Sequence, residues 1–247
     1  MKTYDPAFFD HLRQVQDRHF WFVARNRVIG AVASTLLRET GSRILEVGCG
    51  CGNVLPTLAG IATAATVVGM DLFQEALAHC RGRFELVQAD ATALPFRASF
   101  HLAGCFDVLE HMDDDVAVAA GIRCAIRAGG WLLVTVPAGP GLWSAFDEAA
   151  MHRRRYTEAS LRAMLTKAGF EVDFVSPFMS ATYPLLWAQR RFGSRSHGQQ
   201  AVHDELRIVP GLNALLKGSL RWEPGWLAAR RSLPFGSSLL AIARIEG

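Results

Sequence analysis

Short apolar runs alternate along this chain with stretches of helical spacing. Ile44-Leu45-Glu46-Val47, a second run ending at Asp71, and the segments Phe84–Gln88, His101–Phe106, Trp131–Val136 and Phe170–Ser176 have the length and composition of buried strands. A helix is expected between the first two runs and another over Leu72–Cys80. A third begins near Asp113–Asp115, where three acids favour the helix dipole rather than a metal. A fourth runs from a Thr157 cap to Ala168, with Gly169 at its exit. Ser160 stands where a capping box wants Glu or Gln, so the box is expected to be incomplete. Before the first strand, Asp5 to Arg38 reads as one or two helices. Phe8, Phe9, Leu12 and Val15 fall at helical spacing, Phe20-Trp21-Phe22 interrupts, and Val28, Ala31, Val32, Thr35 and Leu36 resume it.

Composition narrows the class. The chain has 247 residues, half apolar and a fifth charged, which suits one sizeable core with an elaboration. Five cysteines (Cys49, Cys51, Cys80, Cys105 and Cys124) sit mostly in apolar patterns, as small buried hydrophobes in a reducing compartment. Cys49 and Cys51 lack zinc-type C-x-x-C spacing, so no metal is expected. Met1–Phe20 lacks the apolar core of a signal peptide. Asn53–Met70 is uncharged but divides into helix and strand, so it is not read as a membrane span, and a cytoplasmic location is expected.

The chemistry gathers at the end of the first strand. Gly48, Gly50 and Gly52 follow Glu46 in the pattern E-x-G-x-G-x-G, and a carboxylate, Asp71, closes the second strand. Glycines let a ligand approach the backbone, and a carboxylate about 20 residues on can accept hydrogen bonds from ribose hydroxyls. A dinucleotide would favour G-x-G-x-x-G opening into a helix, with its pyrophosphate on free amides. Glu46 would repel a pyrophosphate and suits an ammonium or sulfonium. The local alternatives are a tight glycine turn, a helix cap at Asp71 and a surface turn at Asp90. Glu46 has no comparable structural explanation, because a carboxylate at the end of a buried strand needs a partner.

The segment ILEVGCGCGN resembles the first motif of class I S-adenosylmethionine-dependent methyltransferases. Gly69–Asp71 (GMD), Gln88–Phe96 (QADATALPF), Phe106–His111 (FDVLEH) and Ala128–Pro137 (AGGWLLVTVP) continue the likeness in order over roughly Arg43–Val175. The resemblance implies an α/β, Rossmann-like, doubly wound seven-stranded sheet with the last strand antiparallel. N-terminal helices and a helical insertion before the last strand complete it. Ser237–Arg244 would supply the last strand. Residues 1–40 would form a helical lid, with His19, Phe20 and Trp21 near the donor, unless these aromatics are simply core. Residues 41–176 and 237–247 would bind S-adenosyl-L-methionine. By the same resemblance Glu46, Gly48, Gly50 and Gly52 would hold its methionine end, Asp71 the ribose, Leu72 the adenine ring, and Asp90 with Ala91 the adenine amino group. Phe106 and Asp107 would face the methionine moiety.

The insertion, 177–236, carries two apolar, Trp-bearing patches, Tyr183–Phe192 and Leu212–Leu227, flanking a polar stretch near Gly193–His203. From Phe178 onward nine basic residues face four acids, about +5, leaving about −2 for the rest. Such a cap would cover a lipophilic or anionic small-molecule acceptor, make a peripheral membrane contact, or only roof the sheet. A hydroxyl acceptor needs a base. His111 and His152 are the candidates, the latter in WSAFDEAAMHRRRYT, which resembles methyltransferases related to the quinone-biosynthesis group. Asp147 and Glu148 sit nearby, and Arg153, Arg154 and Arg155 would contact an anionic acceptor or form a solvated face. No Asn/Asp-Pro-Pro-aromatic turn follows the fourth strand, so nucleic acid is not expected as substrate. The alternatives to a methyltransferase are a cofactor-binding module without catalysis and, more remotely, a dehydrogenase.

Overall fold

In a computed structural model of the chain, which describes residues 7–37, 39–192 and 198–246, the apolar runs assemble into one sheet. Helices α1 (Ala7–Val15) and α2 (Phe20–Ala33) precede β1 (Arg43–Val47), α3 (Leu55–Ala59), β2 (Thr66–Asp71), α4 (Gln74–Ala78), β3 (Glu85–Gln88) and β4 (Phe100–Phe106). Then come α5 (Asp115–Ala125), β5 (Ile126–Pro137), α6 (Ala145–Ala149), α7 (Glu158–Lys167) and β6 (Glu171–Phe178). Helices α8 (Tyr183–Phe192), α9 (Gln199–Glu205), α10 (Pro210–Ser219) and α11 (Glu223–Ala228) lead into β7 (Ser238–Arg244). The order is 3-2-1-4-5-7-6, with β1 to β5 parallel and β7 antiparallel between β5 and β6, the doubly wound sheet anticipated above.

Strand periodicity divides the core. Leu45 and Val47 pack with Val118, Ile122, Leu161 and Leu165 of α5 and α7. Ile44, one residue out of phase, packs on the other face with Val28, Ile29 and Val32 of α2 and Leu55 and Leu58 of α3. Strand order reverses between β1 and β4, which opens a crevice at their carboxyl ends. Among the described residues, no helix is long and apolar enough to cross a membrane.

Four local expectations need correction. The capping box of α7 is complete: Thr157 N–H donates to Ser160 Oγ at 3.0 Å and Ser160 N–H to Thr157 Oγ1 at 3.1 Å, so a serine hydroxyl replaces the usual carboxylate. Helix α4 begins at Gln74, because Asp71 accepts the Phe73 N–H at 2.9 Å ahead of it. Strand β5 begins at Ile126, with Gly129 at φ +70 inside its irregular start. Strand β6 runs to Phe178, so the insertion leaves the sheet later than expected, at Met179. Asp5, Arg38 and Gly193–His197 lie outside the described residues, as does the Phe8 side chain.

The departure from β6 is held by one carboxylate. Met179 adopts a left-handed φ of +62, and its N–H and that of Ser180 each donate to Glu223 at 2.8 Å. Ser180 Oγ donates to the same group at 2.6 Å, and Glu223 is buried at the start of α11. Glu223→Ala would strand two amides and is expected to lower unfolding free energy by about 2–4 kcal/mol in a urea titration. A loss below about 0.5 kcal/mol, the range of neutral surface changes, would contradict this anchor.

Candidate active site

The loop after β1 is bound to β2 by its backbone. The N–H groups of Gly48 and Cys49 both donate to the Met70 carbonyl, at 2.8 and 3.0 Å. Gly48 has φ +73, and the Val108 side chain occupies the space where a Cβ would stand, so only glycine fits. Gly50 N–H donates to Asp71 Oδ2 at 2.7 Å. Asp71 therefore joins the glycine loop to the turn before α4 while lining the crevice. Burial raises its pKa, opposed by the amides of Phe73, Gly50 and Leu72.

Glu46 shares a sheet face with Ile44 and is 2% exposed, yet its Oε2 has no hydrogen-bond partner. Its pKa rises from the ordinary 4.5 to about 8, chiefly through burial, with Arg25 opposing and Asp71 adding to the rise. Arg25 enters from the buried face of α2 and donates to Asp107 Oδ2 at 2.8 Å and to Asn53 Oδ1 at 3.2 Å. Its guanidinium also lies over the Trp21 ring, 4.8 Å from the centroid. Asp107, in a left-handed conformation (φ +56), takes a further hydrogen bond from Thr135 at 3.0 Å.

Across the crevice stands a second polar group, built on the loop between β5 and α7. Tyr156 pins that loop, exchanging backbone bonds with Pro137 and Gly139 and donating its hydroxyl to Asp115 at 2.8 Å. Asp147, fully buried, is the hub of the segment. Its Oδ2 accepts Ser144 N–H at 2.8 Å, and its Oδ1 accepts Arg155 Nε at 2.7 Å and lies 2.9 Å from His152 Nδ1. Burial alone would raise the Asp147 pKa, but the His152 hydrogen bond and the Arg155 charge outweigh it and hold the group at about 2. An ionised carboxylate only accepts, so the His152 nitrogen facing it, Nδ1, carries a proton, and Nε2 is the ring nitrogen turned away from Asp147.

The His111 ring meets that of His152 edge-on, with centroids 4.8 Å apart. Burial, then the neighbouring His152, lowers the His111 pKa to about 3, so it is neutral. Glu110 is buried with an unpartnered Oε2, and burial followed by Asp107 raises its pKa well above the carboxylate range. Ligand atoms of Glu110, His111 and His152 lie within 4.8 Å of one another.

One cavity of about 720 Å³, ordinary for a small-molecule site, joins both groups. Glu46, Gly48, Gly50, Asp71, Leu72, Asp90, Ala91, Phe106, Asp107, His111 and His152 all line it. Gly52 does not: its left-handed φ of +77 and the Cys80 sulfur where a Cβ would stand make it a packing glycine. Asp90 accepts the Thr92 N–H at 2.8 Å, so the surface-turn alternative describes part of its role. The arginine run is not an open anion site, since Arg153 pairs with Asp113, Arg154 with Asp115 and Arg155 with Asp147. Sequence reasoning missed Arg25 and Glu110. The signal for Arg25 was a charge on the apolar helical face of Phe22, Val28 and Ile29.

Comparison with known proteins agrees with this geometry. A family model described as "Methyltransferase domain" matches residues 14–174. A Mycolicibacterium smegmatis protein named "Probable S-adenosylmethionine-dependent methyltransferase" is 30% identical over 241 residues, covering 92% of this chain and 90% of its own. A "Ubiquinone biosynthesis O-methyltransferase" of Thiobacillus denitrificans is 35% identical over 101 residues, 37% of this chain, and the match spans only 43% of that relative's length. A Haemonchus contortus phosphoethanolamine N-methyltransferase, solved with S-adenosyl-L-methionine, shares the fold at TM-score 0.59 and 18% identity, covering 90% of this chain and 53% of its own. The chain belongs to the S-adenosylmethionine-dependent methyltransferases. It is an enzyme with S-adenosylmethionine as cofactor, and nothing supports the non-catalytic alternative.

The residues present fit that cofactor. A buried carboxylate oxygen without a protein partner suits an ammonium or sulfonium, and Asp71 suits a diol. The raised Glu46 pKa has a consequence for the ligand-free protein. Between about pH 4.5 and 8 the folded state keeps a proton that the unfolded chain releases, so stability falls as pH rises through that window. Ligand-free Glu46→Gln should therefore melt above wild type, with a gap that widens from about pH 5 to about pH 8 and then levels. A constant or reversed gap in calorimetric scans would show Glu46 to be ionised and partnered.

Proposed function

We propose that this enzyme methylates a hydroxyl group on a small lipophilic acceptor, with His152 as the base. The observation that carries this is His152, oriented by the buried Asp147 at 2.9 Å, in the same cavity as Glu46 and Asp71. When bound, S-adenosylmethionine supplies a methyl group on a positively charged sulfur. The chain's own residues would then do three things. Glu46 and Arg25 would hold the donor's ammonium and carboxylate, Asp71 its ribose, Leu72, Asp90 and Ala91 its adenine, and Phe106 and Asp107 would flank the methionine moiety. His152 Nε2 would take the acceptor's hydroxyl proton, with the Asp147 carboxylate stabilising the resulting imidazolium. Phe20, Trp21, Leu142, Phe146, Leu186 and Leu206 would exclude water around the acceptor.

The paired arginines favour a lipophilic over an anionic acceptor. The relative named for ubiquinone biosynthesis is an O-methyltransferase, which agrees with a hydroxyl as the target. A specific observation favours a second reading, in which Glu110, His111 and His152 hold a divalent cation that binds the acceptor oxygen.

His152→Ala should lower kcat by about 10²–10⁴-fold, the usual worth of a general base, while leaving the donor Kd within about twofold. The assay is methyl transfer from labelled donor to a panel of hydroxylated aromatic compounds. Loss of donor affinity as well would make His152 structural. Chelator treatment should leave turnover unchanged, whereas loss restored by a divalent ion would establish the cation reading instead. Asp71→Ala should weaken donor binding by about 1–3 kcal/mol, and unchanged affinity would contradict the ribose role.

A further inference from the structure

The insertion does not hide its apolar residues. Six of the ten large apolar side chains exposed on the described structure fall between Val209 and Phe235: Val209, Leu212, Leu215, Trp222, Trp226 and Phe235. Helix α10 turns Asn213 and Leu216 inward, with Leu220 just beyond its end, and shows Leu212 and Leu215 to solvent. The backbone stays near-helical into α11, with Trp222 at φ −85 and ψ −25 and Glu223 N–H donating to the Leu220 carbonyl. Trp222 caps α11 and Trp226 stands one turn further along it, and α11, like α10, packs against α2. The two indoles meet edge-on, with centroids 5.9 Å apart.

The exposed charge of this segment has one sign. Between Leu206 and Gly236 the sole acid is Glu223, which is buried. The cations are Arg207, Lys217, Arg221, Arg230 and Arg231. Arg230 pairs with Asp173, but none of the other four has an ion-pair partner among the described residues. Arg231 lies over the Trp226 ring at 5.0 Å. Indoles flanked by unpaired cations match the boundary of an anionic bilayer, where the rings sit at headgroup depth and the cations meet lipid phosphate. A second copy joined by a twofold axis would instead set like charges against each other.

We propose that the exposed face of α10 and α11, centred on Leu215, Trp222 and Trp226 and rimmed by Lys217, Arg221 and Arg231, docks on anionic phospholipid bilayers. The docking is peripheral, since no described helix can span. Its back is joined to the catalytic half. Asn213 accepts the Phe20 N–H at 2.7 Å and donates to the Arg18 carbonyl at 3.0 Å, holding the entry to α2, which lines the cavity. A membrane-seated enzyme would sit beside a reservoir of lipophilic acceptor. That consequence rests on the function proposed above, whereas the docking itself does not.

The test is sedimentation of the full chain with vesicles of phosphatidylcholine alone or with about a third phosphatidylglycerol, beside light scattering for oligomeric state. Wild type should partition onto the anionic vesicles at least about tenfold more strongly. Trp222→Ser with Trp226→Ser should lose at least about tenfold of that binding. Lys217→Glu with Arg221→Glu, at positions outside the core, should do the same with unchanged melting temperature and donor affinity. Equal binding to both vesicles, absence of binding, or variants that bind like wild type would overturn the proposal. So would a dimer that Trp222→Ser dissolves in a protein that ignores vesicles, because the face would then belong to a second copy.

Discussion

Burying a carboxyl group where no protein donor reaches one of its oxygens works against folding, and Glu46 is buried that way at the end of β1. The surrounding architecture is arranged about this group. Asp71 stands beside it, bonded to the glycine loop; Arg25 reaches toward it from α2 while anchored on Asp107; and Thr135 of β5 steadies Asp107 in turn. The ligand-free compromise is a protonated Glu46. A cationic ligand would remove the need for that compromise, which suits S-adenosylmethionine better than a pyrophosphate-bearing cofactor.

The opposite wall follows a different rule. Asp147 is equally buried but fully bonded, so it stays ionised and fixes the tautomer of His152. In the proposed mechanism the unsatisfied carboxylate receives the donor, while the satisfied one positions the base. Between them the cavity is lined by aromatic and aliphatic groups of α2, α6 and α8 and by Leu206 just after α9, which would shape the proposed acceptor space.

Much of this was legible in the residues themselves. Strand positions, the antiparallel return of Ser238–Arg244 and the oddity of Glu46 could be read because each depends on local pattern or on ordered motifs. What could not be read was pairing across distance. Arg25 meets Asp107, and Glu223 meets Met179 and Ser180, over separations that periodicity does not encode. The same blindness left the arginine run at 153–155 open as an anion site, although three separate acids engage it. Gly52 looked like its two neighbours in the motif, yet it packs on Cys80 away from the cavity that Gly48 and Gly50 line. Ser160 completing a capping box is a matter of rotamer, which composition does not reveal.

The central claim is that Glu46 waits protonated and ionises to receive a cation. Calorimetric titration with S-adenosylmethionine near pH 6.5, in buffers of different ionisation enthalpy, reads that proton directly. At this pH the donor's amine is already charged, so release of about one proton per molecule bound is expected from wild type, and none from Glu46→Gln. Tight binding by wild type with no proton released would contradict the account.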